Sequence, residues 1–413
     1  MPKYLFLVPL LVLISACAQS PPSVAPTQPP APTQNESGPT VTPVNMPCVV
    51  LNQPSPTGTP APTASGAQNS HSLGLGSAAV TILVFSDYQC PACRYVAEVL
   101  KQIYQTHPDD VRLIYLDYPL PGHDKAILAI QAADAADQQG KFWEMHDLLF
   151  EKQAEWSGLT PSAFPAWVVE QAAGLGLNVA QFQSDFQGQV VKALAQNAQK
   201  AVASDSANPK SLPAVYINSA TPYTNSLVDF AGLDQVVSLL ALTKKQYSSC
   251  PPMEVDPLKQ YLATLHTAKG DIVIQLYADK APLAVNDFVF LARSGWYNNN
   301  TFERVLPGIL VQTGDPSGTG MGNPGYFIDT DIPKGLLFDR PGVVAMANTG
   351  TNTNGSQFLI TLAAEPQMNG AYTIFGQVLS GMDILGQLTA RDPSPDQYLS
   401  PGDALTTVTI TER

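Results

Sequence analysis

Three local signals between Val80 and Ile103 restrict the fold more than anything else in the chain. Val80–Ser86 (V-T-I-L-V-F-S) is a short, β-branched apolar run, the pattern of a buried strand. Asp87-Tyr88-Gln89 interrupts it, and Cys90-Pro91-Ala92-Cys93 follows. From Arg94 onward apolar residues recur at helical spacing, at Val96, Val99, Leu100 and Ile103. The order strand, Cys-X-X-Cys, helix places Cys90 at a helix N-terminus, where unpaired N–H groups and the macrodipole favour a thiolate. Cys93 then lies one turn inside, close enough to resolve a mixed disulfide. Pro91 suits the first turn, where its missing N–H costs nothing. One Cys-X-X-Cys cannot supply the four ligands of a structural zinc, and no second pair or histidine cluster lies near it in sequence. The pair therefore reads as redox-active, with no metal and no cofactor expected.

This is the thioredoxin-like arrangement. Val111–Asp117 reads as a second strand, His123 to about Ser204 as helix-forming, Ala214–Asn218 as a third strand and Gly232–Leu242 as a closing helix. The motifs F-S-D-Y-Q-C-P-A-C, P-L-P-G-H and Q-G-K-F-W-E-M-H-D resemble the DsbA family, an α/β thioredoxin fold with a helical insertion. The resemblance implies disulfide exchange at Cys90 and Cys93, with a redox partner of unknown identity. It also implies a cis-proline facing them, here Pro213, although Leu212 stands where Thr or Val is usual. His123 and His146 read as helix-surface or packing residues.

The later part of the chain has a different texture. Phe302–Asp315 (F-E-R-V-L-P-G-I-L-V-Q-T-G-D) sets Arg304 and Gln312 in an apolar run broken by Pro and Gly, so it reads as short strands around a tight bend. Few polar groups on an apolar wall is the build of a small-substrate site. Gly342–Leu359 holds a second apolar run ending at Asn348, then a loop dense in Gly, Thr and Asn. With K-G-D-I-V-I-Q-L-Y-A-D-K-A-P-L-A-V-N-D-F and M-N-G-A-Y-T-I-F-G-Q-V, these stretches resemble the cyclophilin family of peptidyl-prolyl cis-trans isomerases across Tyr261–Arg413. The resemblance implies a mainly antiparallel β-barrel, with one clear helix at Ala281–Arg293. It places substrate contacts at Arg304, Gln312, Ala347, Asn348, Gln357 and Tyr372, and a proline pocket lined by Ile309, Leu310, Ala347, Leu359 and Met368. Arg304 is the expected catalytic donor, since a rigid, permanently charged guanidinium suits a twisted amide nitrogen. The bland alternative for Arg304 is a surface salt bridge with Glu303 or Asp315. Ile309 and Leu359 replace aromatics usual in the family, Gln367 replaces a tryptophan and Tyr372 a histidine, which implies lowered activity and weak cyclosporin binding.

The 413 residues have room for two or three domains, and the net charge of −13 with no basic run argues against a nucleic-acid partner. Lys3, the apolar run Tyr4–Ile14 and Ser15-Ala16 form a signal peptide over residues 1–16. The I-S-A-C tail resembles a bacterial lipobox, which implies lipid on Cys17 and an extracytoplasmic lipoprotein anchored to a membrane. Residues 17–70, rich in Pro, Thr and Ser, read as a linker. Residues 71–248 then form the thioredoxin-like domain, 249–260 a second linker and 261–413 the cyclophilin-like domain. Cys48 and Cys250 remain, and outside the cytoplasm they are expected to pair as a structural disulfide. The functional expectation is a two-activity folding factor for exported polypeptides that carry X-Pro bonds or cysteines. The alternatives are a cyclophilin-like binding module without turnover, and a middle domain that is only a spacer.

Overall fold

A computed structural model describes residues 46–51, 70–204, 209, 211–218, 223, 228–393 and 401–413. The signal peptide, Cys17 and most of the first linker lie outside the described residues. No helix among the described residues is long and apolar enough to cross a membrane.

The α/β part contains β2 (Ser70–Leu73), β3 (Val80–Ser86), α1 (Pro91–Thr106), β4 (Val111–Asp117), β5 (Ala214–Ile217) and α8 (Phe230–Ala241), with β1 (Cys48–Val50) preceding it in the chain. Its four-stranded sheet has the order β2-β4-β3-β5. β3 and β4 are parallel, a pairing that needs a crossover, and α1 supplies it. β2 and β5 add antiparallel edges. Between β4 and β5 the chain inserts six helices: α2 (Ala126–Asp137), α3 (Phe142–Glu151), α4 (Gln153–Trp156), α5 (Phe164–Gly174), α6 (Val179–Phe186) and α7 (Gln189–Ser204). Trp156, Phe164 and Phe182 are fully buried and fuse this helical layer to the sheet core. The thioredoxin-like fold with a helical insertion is present as the sequence suggested.

The second part is one nine-stranded antiparallel sheet. Its strands are β6 (Tyr261–Thr267), β7 (Gly270–Leu276), β8 (Asn300–Thr301), β9 (Arg304–Leu306), β10 (Leu310–Thr313), β12 (Val343–Met346), β13 (Phe358–Thr361), β14 (Ile374–Ser380) and β15 (Ala404–Glu412). The order is β8-β15-β6-β7-β14-β12-β13-β10-β9. The two edges, β8 and β9, are consecutive in the chain with only Phe302 and Glu303 between them, so the sheet curls on itself without a ladder joining its edges. α9 (Pro282–Arg293) fills the curl, with Phe288 packed on Tyr297, Phe358 and Phe375. The short helix α10 (Met382–Leu385) packs beside β7.

Strands β12 and β13 are buried at every position. Strand alternation explains the two-sided burial. Val344, Met346, Phe358 and Ile360 join the main core, while Val343, Ala345 and Leu359 join Phe338 and Ile374 in a second cluster on the opposite face. That second cluster floors the cleft described below.

Neither expected linker is a free spacer where it is described. β1 pairs antiparallel with β11 (Tyr326–Ile328), and Met46 is 1% exposed against Tyr326 and Ile328. Val255 is buried as well, and Asn286 Oδ1 accepts from the backbone N–H groups of Glu254 and Val255 at 2.7 and 3.0 Å. The M-P-C-V-V-L run docks by forming a separate two-stranded sheet with β11. Cys48 and Cys250 are disulfide-bonded with Cα atoms 5.7 Å apart, which ties these two segments together.

Candidate functional site

Arg304 and Gln312 are direct register partners across the β9–β10 hairpin. The alternation that sends Val305 and Val311 into the core sends Arg304, Leu310 and Gln312 to the opposite face. They line a cleft of about 460 Å³ together with Ala347, Asn348, Gln357, Leu359, Met368 and Tyr372. Leu359 is 3% exposed at its floor, Tyr372 meets Phe338 edge-on, and Met368 packs on the same cluster.

The polar wall is held by a relay of hydrogen bonds. Gln312 Nε2 donates to Gln357 Oε1 at 2.7 Å, and Gln357 Nε2 donates to the carbonyls of Gly320 and Gly322 at 3.1 and 2.9 Å. Asp315 holds that glycine-rich loop. Its carboxylate accepts from Ser317 N–H (2.8 Å), Ser317 Oγ (2.7 Å), Thr319 Oγ1 (3.1 Å) and Gly322 N–H (2.9 Å). Glycine is required at 322, where a Cβ would sit 2.0 Å from Asp315 Oδ1. It is required at 314 too, where φ is +112° and a Cβ would sit 2.4 Å from the Ser356 carbonyl. Asn348 Nδ2 donates to Asn354 Oδ1 at 3.2 Å and to the Ala371 carbonyl at 3.4 Å.

Two expectations change here. Ile309 does not line the cleft. It sits in the turn before β10, is 43% exposed, and its carbonyl accepts from Leu362 N–H. Nor does Arg304 pair with Glu303 or Asp315. Its Nε lies 3.4 Å from Asp392 Oδ1, with both side chains about one-third exposed, an ion pair of small worth. Glu303 is fully buried, and burial first, then the nearby Asp315, pushes its carboxyl well above the usual range. The glycine-rich loop, with Met321 at the rim and Asn323 and Phe327 on the wall, was not anticipated. The density of glycine in D-P-S-G-T-G-M-G-N-P-G was the available signal.

In the α/β part, Cys90 is the N-cap of α1 and Pro91 occupies its first turn. Both cysteines are free thiols and buried. The Cys93 thiol donates to Cys90 and holds its pKa down to about 6, against the cost of burial. The same bond, with burial, drives Cys93 up. Asp87 N–H lies 3.5 Å from Cys93 Sγ, and Gln153 Nε2 donates to the carbonyls of Tyr88 (2.7 Å) and Cys90 (2.9 Å). The Leu212–Pro213 peptide is cis, and the next residue, Ala214, is the register partner of Phe85 at the dithiol end of β3. His146 is buried among Tyr88, Tyr115 and Phe150. His123 Nδ1 lies 2.9 Å from Asp87 Oδ2.

A model of the cyclophilin type peptidyl-prolyl cis-trans isomerase family matches residues 262–410, and a thioredoxin model matches residues 67–230. Peptidyl-prolyl cis-trans isomerase-like 1 of Gibberella zeae is 43% identical over 127 residues, 30% of this chain and 78% of that protein. Its namesake in Aspergillus fumigatus is 45% identical over 125 residues, again 30% of this chain and 78% of the relative. A crystal structure of a cyclophilin type isomerase from Cryptosporidium parvum aligns at 32% identity over 38% of this chain and 99% of its own, with a TM-score of 0.34. With its cleft, its curled sheet and these relatives, the chain belongs to the cyclophilin-type peptidyl-prolyl cis-trans isomerase family, and it carries a thioredoxin-like domain ahead of that one.

Proposed function

We propose that this protein assists the folding of exported polypeptides with two centres, a prolyl isomerase in the cyclophilin-type domain and a thiol–disulfide exchange centre in the thioredoxin-like domain. The observation that carries the first reading is the Arg304–Gln312 pair on the wall of an apolar-floored cleft. Rotation about an X-Pro bond meets a barrier of about 18–20 kcal/mol because the C–N bond is partly double. In the twisted state the nitrogen lone pair is no longer delocalised and can accept a hydrogen bond. A guanidinium aimed at it stabilises that state more than either planar isomer. The Leu359 floor takes the proline ring, and Asn348 at the rim is placed to bond the peptide backbone. No proton transfer and no covalent intermediate is involved.

The test is a protease-coupled assay on an X-Pro peptide. Arg304→Ala is expected to lower kcat/KM about 100- to 1000-fold with peptide affinity nearly unchanged. Equal rates for wild type and variant would favour a binding module without turnover. The aliphatic floor at Leu359 motivates that second reading. Ile309, which also motivated it, stands outside the cleft.

In the redox reading, the Cys90 thiolate attacks a substrate disulfide and expels one substrate thiolate. Cys93, losing its proton, then attacks the mixed disulfide, leaving Cys90–Cys93 oxidised and the substrate reduced; the reverse sequence oxidises a substrate dithiol. The cysteine spacing, the N-cap position of Cys90 and its lowered pKa support this reading. A lipid anchor on Cys17 belongs to the same proposal and rests on the pattern of residues 1–17; labelling with a radioactive fatty acid, lost in Cys17→Ser, tests it.

A further inference from the structure

A second polar constellation lies in the thioredoxin-like domain, apart from the dithiol and the cleft. His71 in β2, Asp117 at the end of β4 and Asp134 in α2 each offer one ligand atom, and these atoms all lie within 4.8 Å of one another. Asp117 and Asp134 are 8% and 1% exposed. His71 Nε2 is 3.3 Å from Asp134 Oδ1. Nitrogen and oxygen ligands held about 2.0–2.2 Å from a tetrahedral ion stand about 3.3–3.5 Å apart.

The imidazole ring stacks on Phe142 with centroids 3.5 Å apart and planes 9° from parallel. Its other nitrogen, Nδ1, faces the Asp137 carboxylate at 4.0 Å, beyond hydrogen-bond distance but near enough to act on the ring through its charge.

Asp117 is 8% exposed, and its Oδ2 accepts no hydrogen bond from a protein group, which leaves a buried oxygen without a donor. Asp87, another acid near Asp117, already accepts from Leu120 N–H (2.7 Å) and Gln89 N–H (2.7 Å) and meets His123.

We propose that His71, Asp117 and Asp134 form a site for a divalent transition metal, Zn²⁺, with Asp137 positioning the histidine. Nitrogen from one histidine and oxygen from two carboxylates is a ligand set that zinc accepts. The ion would fasten the edge strand β2 to β4 and to the insertion helix α2.

The test uses the full chain carrying Cys90→Ser and Cys93→Ser, which removes the thiols that would bind zinc on their own. After chelator treatment it is titrated calorimetrically with ZnCl₂. One zinc per chain is expected, with a rise in thermal midpoint. Asp117→Asn and His71→Gln, each added to this background and checked by circular dichroism, are expected to abolish binding, and Asp137→Asn to weaken it about 10-fold. The absence of saturable binding in the chain with an intact site overturns the proposal, whatever the variants do. Binding that survives both substitutions in folded chains overturns it as well. In either case His71, Asp117 and Asp134 are a structural polar cluster and not a metal site.

Discussion

Arg304 stands on a wall of the cleft, and the residues behind it decide how steady that wall is. Asp315 is fully buried and accepts four hydrogen bonds from the loop that supplies carbonyls to Gln357. Asp315→Ala strands those donors and is expected to lower stability by about 3 kcal/mol, read by urea denaturation, with a parallel fall in isomerase kcat/KM. A change under about 0.5 kcal/mol would deny Asp315 this role. At the dithiol, the rate of Cys90 alkylation in the reduced protein is expected to rise with a midpoint near pH 6, and Cys93→Ala to move that midpoint upward by removing the donor. A midpoint near 9 in the parent protein would contradict the geometry. Arg304 and Gln312 were legible in the sequence because an eight-residue spacing around a Pro-Gly bend sets two strand positions opposite each other. Ile309 was misplaced because it lies in that bend, where strand alternation does not apply.

At the scale of elements, α9 and β11 meet through Asp287 and Tyr326, whose hydroxyl donates to Asp287 Oδ1 at 2.6 Å. Burial pushes the Asp287 carboxyl up to about 8 from 3.8. A carboxyl whose pKa is raised by folding keeps its proton in the native state where the unfolded chain has lost it. Its contribution is therefore fully present below pH 3.8 and is lost as pH rises from there through about 8. The thermal midpoint of this domain is expected to fall between about pH 4 and pH 8, and Asp287→Asn to flatten that fall; an unchanged slope would assign the titration elsewhere. The sequence indicated α9 by its apolar spacing and Pro282. It gave no sign that β1, three residues inside a Pro-rich stretch, would pair with β11. A strand that short has no periodicity to read, and only backbone pairing with β11 makes it one.

Across the whole molecule, the Cys48–Cys250 bond closes a separation of 202 residues. Cross-linking so long a loop restricts the unfolded chain, and Cys48→Ser with Cys250→Ser is expected to cost about 2–4 kcal/mol in urea unfolding of the cyclophilin-type domain. An unshifted midpoint would mean that the docking of Met46 and Val255 suffices without the bond. Local pattern alone determined the two domains, because a strand followed by Cys-X-X-Cys and a helix, or an arginine and a glutamine on facing strands, are properties of neighbouring residues. Local pattern also determined the dithiol and most of the cleft wall. The tertiary structure decided where the glycine-rich loop folds over Gln357, where the supposed linkers dock, and that His71, Asp117 and Asp134 meet. These depend on chain segments distant in sequence being packed side by side, and the burial that makes them chemically meaningful arises only when water is excluded between them.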